Sequence, residues 1–141
     1  MYGNPLNIQQ PSEDWNKPLK EPLPIVRKDV FPGGKKECFL LYNLLSPEEC
    51  EHYIKETEKI GYRGLSSYTK SYRDNDRLIV EDEDLAKKIF ERCKSVLPLE
   101  LDKGKDPELG WSGEWEAIGL NERFRFCRYE PGGHFNPHCK F

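Results

Sequence analysis

The side chains best suited to chemistry crowd into the last eighteen positions, Phe124 to Phe141: Phe-Arg-Phe-Cys-Arg-Tyr-Glu-Pro-Gly-Gly-His-Phe-Asn-Pro-His-Cys-Lys-Phe. Two of the chain's three histidines, His134 and His138, lie here with Cys127, Tyr129 and Cys139. An imidazole serves as metal ligand or proton carrier near neutral pH, and a thiolate as ligand or nucleophile. Zinc on Cys127, His134, His138 and Cys139 matches none of the common ligand spacings. On an extended strand His138 and Cys139 point to opposite faces, which also separates a Cys139 nucleophile from His138 as its base.

Phe124, Phe126 and then Tyr129 mark a roughly alternating, β-rich run. Glu130-Pro131-Gly132-Gly133 reads as a turn, because Pro presets φ and Gly takes positive φ without a steric cost. The chain then re-enters an extended stretch, expected to place His134, Asn136 and His138 on one face and Phe135 on the other. Strand, Gly-Gly turn and strand with an imidazole near the end make a site.

The pattern Tyr129-x-x-Gly132-Gly133-x-Phe135-x-Pro137-His138 resembles the first catalytic strand of the iron(II)/2-oxoglutarate dioxygenases, in particular the prolyl 4-hydroxylase-like branch. There the pattern continues His-x-Asp, two of three iron ligands. His138 falls on the ligand His, and Lys140 on the Asp. Tyr129 matches the strand tyrosine that faces the 2-oxoglutarate pocket; as a residue of a sheet it reads equally as a packed aromatic. Ser71-Tyr72-Arg73-Asp74-Asn75-Asp76-Arg77 looks like the Arg-Asn-x-Arg segment of this branch, and the resemblance turns Arg73 and Arg77 toward substrate. Without it they read as ordinary solvated or ion-paired arginines. Gly119-Leu120-Asn121-x-Arg123-x-Arg125 looks like the branch's approach to the catalytic strand.

The resemblance implies Fe(II) and 2-oxoglutarate as cofactors, with ascorbate beside them, and a protein or peptide, through proline, as substrate. A non-haem iron oxygenase needs two imidazoles and one carboxylate on one face of the metal. Lys140 has three donors and no acceptor while charged, so it does not replace the anionic oxygen. His52 belongs to the first helix, and His134 precedes His138 by roughly 13 Å of extended chain, so neither stands in for the distal ligand. The expectation is a catalytically incomplete, truncated dioxygenase domain whose remaining ligands lie downstream, or else a non-catalytic half-domain that binds a protein partner. An unpaired sheet edge in such a half-domain favours a partner or self-association.

Upstream, residues 1 to 33 carry six of the eleven prolines, read as an extended arm (boundary at 1–36) that wraps the domain or links to it. Cys38-Phe39-Leu40-Leu41-Tyr42 reads as a short buried strand. Ser46-Pro47-Glu48-Glu49 is a capping box with Pro at the first helical position. The helix it starts is expected to run to about Ile60, with Cys50, Tyr53, Ile54 and Ile60 toward the core and Gly61 as stop. Tyr62 to Asn75 reads as loop and irregular strand, and Asp76 to Val80 as strand. A second helix starts on the acids Glu81 to Asp84 and ends at Pro98; those acids suit the positive end of the helix dipole rather than a metal cage. Glu100 to Trp115 reads as a long surface loop. In it Trp111 and Trp115 cover a substrate groove, with Trp115 a candidate substrate contact, or fill the gap between the second helix and the sheet.

With 141 residues the chain is one domain's worth, and residues 37–141 form the expected partial dioxygenase domain. Its fold class is α+β: N-terminal helices plus the first strands of a double-stranded β-helix, or jelly roll. Charges of 25 acidic against 22 basic residues give no electrostatic case for nucleic acid or an anionic membrane. The hydrophobic fraction of 36% is low and the charged fraction of 33% high, so part of the chain is expected to stay unburied. No apolar run approaches ~18 residues, and five irregularly spaced cysteines read as reduced thiols, hence the cytoplasm or nucleus.

Overall fold

A computed structural model describes residues 8–13, 15, 23–32, 38–64, 69–98 and 116–138, with the backbone course of 100–106 and 111–115. Ten short strands and two helices follow one another: β1 (Ile8–Gln9), β2 (Val26–Asp29), β3 (Phe39–Tyr42), α1 (Pro47–Ile60), β4 (Arg63–Gly64), β5 (Arg73–Asp74), β6 (Asp76–Glu81), α2 (Glu83–Cys93), β7 (Glu100–Asp106), β8 (Trp111–Glu116), β9 (Arg123–Arg128) and β10 (His134–Phe135). The class is α+β, as expected, and the strands form four small open sheets among the described residues.

β6 is the hub. Antiparallel β9 pairs it over its whole length, from Asp76 opposite Arg128 to Glu81 opposite Arg123. Its other edge takes antiparallel β4 at the start and parallel β1 near the end, where Ile8 meets Ile79. Period-2 alternation then gives the sheet two unlike faces. Leu78 and Val80 of β6, with Phe124 and Phe126 of β9, pack toward Tyr53 and Ile60 of α1 and Leu85 and Ile89 of α2. Arg77, Ile79, Arg123, Arg125 and Cys127 take the opposite face.

Local sequence explains both helices. Ser46 accepts from the Glu49 N–H at 3.1 Å while the Glu49 carboxylate accepts from the Ser46 N–H at 2.9 Å, the anticipated capping box. Gly61, at φ 94°, ends α1. Asp82 caps α2 through the Leu85 N–H, Glu83 pairs with Lys87, and a 3-10 turn over Lys94–Val96 precedes Pro98.

Three expectations need correction. The buried side of α1 runs through Glu49, Tyr53, Glu56 and Thr57, whereas Cys50 and Ile54 are exposed. Carboxylates go inside here because each has partners: Glu49 binds Arg92, and Glu56 accepts from Ser12 and Lys59. β3 is half-exposed rather than buried, because among the described residues its ladder partner is β2 alone, in a two-stranded sheet. The stretch over Glu100 to Trp115 holds an antiparallel β7–β8 ladder, with a register shift between Asp102 and Lys105, rather than a structureless loop. The arm enters the core: Trp15 is 1% exposed and meets Tyr53 and Phe126 edge-on at 5.1 and 5.5 Å. Most of the 1–36 arm lies outside the described residues, but its described part is integral to the domain.

No helix among the described residues is long and apolar enough to cross a membrane. The four described cysteines are free thiols, and Cys139 lies outside the described residues.

Candidate functional site

The terminal segment owes its course to two glycines. Gly132 has φ 87°, a conformation that side chains disfavour. A Cβ on Gly133 would sit 2.9 Å from both the Asp74 and Glu130 carbonyl oxygens, while its N–H closes the turn on Glu130 at 2.7 Å. After the turn β10 pairs with β5, Phe135 opposite Arg73 and His134 opposite Asp74. β9 and β10 therefore run in one direction along the continuous partner β5–β6, and residues 129–133 bulge out between them.

His138 comes to rest on Phe135, ring centroids 3.8 Å apart and planes inclined by 22°. Its Nδ1–H donates to the Asn136 carbonyl at 3.0 Å, which leaves Nε2 as the lone-pair nitrogen of the neutral ring. A backbone carbonyl holding one imidazole nitrogen is the usual support for a ring that ligates metal through the other. The Arg73 guanidinium also lies on Phe135, 4.1 Å from its centroid, and Tyr72 meets the ring edge-on at 5.6 Å. Arg73 further donates to Asn75 at 2.6 Å and toward Cys127 Sγ at 3.5 Å.

The expected sharing of one face by His134, Asn136 and His138 holds for two of them. The His134 Nε2–H and the Asn136 amide both donate to the Ser71 carbonyl, at 3.1 and 3.2 Å. His138 leaves them because β10 spans only two residues, after which Pro137 removes a ladder donor and stacking on Phe135 takes over.

Arg77 stands on the same sheet face as Arg73, since alternate residues of the strand share a side. Arg77 Nε is buried and has no hydrogen-bond acceptor among the described residues. Arg125 and Cys127 belong to this face as well, both exposed. The Arg-x-Cys alternation opposite Phe124 and Phe126 was the signal for them. Tyr129 follows the end of β9 and is 43% exposed, so it does not act as a packed aromatic here. Lys140, and the side chain of Trp115, lie outside the described residues.

His138 fits one position of an iron centre and the rest of the described chain does not complete it. His134 and His52 each commit Nε2 to a backbone carbonyl, the latter to Trp15 at 3.0 Å. Among the described residues no three of His, Cys, Asp and Glu converge as metal ligands.

No family model matches the chain, and neither does any curated protein or solved structure.

Proposed function

We propose that this chain carries the substrate-facing sheet and one iron-binding imidazole of an iron(II)/2-oxoglutarate-dependent dioxygenase of the prolyl 4-hydroxylase-like kind. Such an enzyme inserts one oxygen atom of O2 into a substrate C–H bond while 2-oxoglutarate takes the other and leaves as succinate and carbon dioxide. The observation that carries the reading is His138, its Nδ1–H held by the Asn136 carbonyl and its ring seated on Phe135 beside Arg73. It supports the motif on which the resemblance rests, Tyr129 to His138. In this reading the helix-free face is the inner face of a jelly roll, Arg73 and Arg77 meet a protein substrate, proline within it, and Tyr129 borders the 2-oxoglutarate pocket.

A second reading, a non-catalytic module that binds a protein partner, is favoured by the single imidazole that the described residues offer where an iron oxygenase needs three ligands. Titration with Mn(II) separates the two. The dioxygenase reading expects paramagnetic broadening of the His138 ring signals before those of His134 and His52, strengthened by 2-oxoglutarate. Equal broadening of all three rings, unchanged by 2-oxoglutarate, leaves the binding module. In either case the 141-residue chain alone is expected to release no succinate from 2-oxoglutarate above a His138→Ala control.

A further inference from the structure

The two faces of the β6–β9 sheet treat their arginines differently. On the helix-covered face Arg128 donates to Asp76 and Glu58, both at 2.9 Å. On the opposite face, where Asn75 and Ile79 are buried and Arg125 and Cys127 exposed, Glu81 is bound by Arg123 and so is already neutralised. The Nε of Arg77 and that of Arg128 are both buried without an acceptor among the described residues, but the terminal nitrogens of Arg128 are neutralised by carboxylates, whereas Arg77 and Arg125 meet no carboxylate among the described residues. Burying part of a guanidinium without an acceptor opposes folding, so the missing group is one a ligand would bring.

We infer that this face docks an extended acidic peptide, with carboxylates on alternate residues seated on Arg77 and Arg125. The inference deepens the reading above by naming the class of protein segment that meets the face, and it rests on that reading's choice of face. Arg125 is paired with Ile79, two residues beyond Arg77, so the anchors follow the sheet's own repeat. An extended peptide returns its side chains to one side about every 7 Å, the same step. A guanidinium takes a carboxylate as a two-pronged partner, and Arg73, held on Phe135 at the end of the row, adds positive potential. The net charge of −3 disfavours a long polyanion, which would meet the acidic remainder of the surface.

The probes are fluorescent nonapeptides of alternating Glu and Ser, the same with Gln or Lys for Glu, and a single-stranded oligonucleotide of equal charge, measured by anisotropy on the full chain. The Glu peptide is expected to bind at least tenfold tighter than the Gln peptide, and to weaken as salt shortens the screening length to about 3 Å at 1 M. Arg125→Gln, at an exposed site, should lower its affinity about threefold. Glu81→Gln should raise it, by freeing Arg123. Equal binding of Glu and Gln peptides, both weakened by Arg125→Gln, overturns the acidic class while leaving the face as a substrate surface. Binding of the Glu peptide that ignores Arg125→Gln and Glu81→Gln overturns both the class and the choice of face. Preference for the oligonucleotide, or no binding of the Glu peptide, overturns the inference.

Discussion

Glu49 of α1 and Arg92 of α2 face each other as a two-pronged ion pair, with nitrogen–oxygen separations of 2.7 and 2.5 Å and 1% of the glutamate side chain exposed. The same carboxylate closes the capping box on Ser46, and Arg92 also donates to the Leu44 carbonyl at 3.2 Å. One glutamate thus fixes where α1 begins and how α2 lies against it.

Arg92→Met is expected to destabilise the chain by about 3 kcal/mol, because it strands a buried carboxylate. Urea denaturation monitored by circular dichroism measures it. A loss below about 1 kcal/mol would place the pair with ordinary surface ion pairs.

The guanidinium of Arg92 holds the Glu49 carboxyl below the usual glutamate range, against the opposing effect of burial. With the folded value depressed, this contribution is complete above the unfolded glutamate value of about 4.3 and is lost as pH falls below it. The acid limb of a stability–pH profile should therefore flatten in Glu49→Gln. An unchanged limb would assign acid sensitivity to other carboxylates.

Burial, followed by the charge of Glu49, pushes the Tyr53 phenol up to about 12. The neutral phenol is the form the fold prefers, so its contribution is full below about 10 and declines as pH rises from there toward about 12. Ultraviolet titration should show a late-ionising phenol that is absent from Tyr53→Phe.

Gly133→Ala brings a methyl within 2.9 Å of two carbonyl oxygens, so the backbone must shift, at a cost of about 1–3 kcal/mol. Amide exchange should accelerate over His134 to Asn136, whose hydrogen bonds to the 71–74 segment depend on that turn. Exchange unchanged there would mean that the turn yields without moving β10.

Short-range patterns made much of the fold readable in advance. The capping box, the Gly61 stop, the acid-led second helix, the Asp76 strand and the Gly-Gly turn each arise from neighbours a few residues apart, and the chain obeys them. Long-range partners were not readable. Glu49 and Glu56 look like solvent-facing residues until Arg92 and Ser12 are brought beside them. Trp15 shows no periodicity because it fills the core from an irregular segment. At the candidate site, the pairing of Arg73 with Phe135 across β5 and β10 was out of reach of any local pattern, and so was the stacking of His138 on Phe135. The face shared by Arg77 and Arg125 follows from alternation once β6 and β9 are in register.

The position of Trp15 also orders events in time. Its ring touches Tyr53 and Phe126, and the His52 imidazole holds its carbonyl, so the core joins Trp15 to a residue more than a hundred positions further along the chain. During synthesis at about 5–20 residues per second, the tryptophan waits several seconds before its last neighbour is made. Closing so long a loop comes late in folding, since its entropy must be met before the contact is gained. Until then Trp15 and the apolar side of β6 lack Phe124 and Phe126 of β9 beside them, and a chaperone that shields them has its opportunity in that interval.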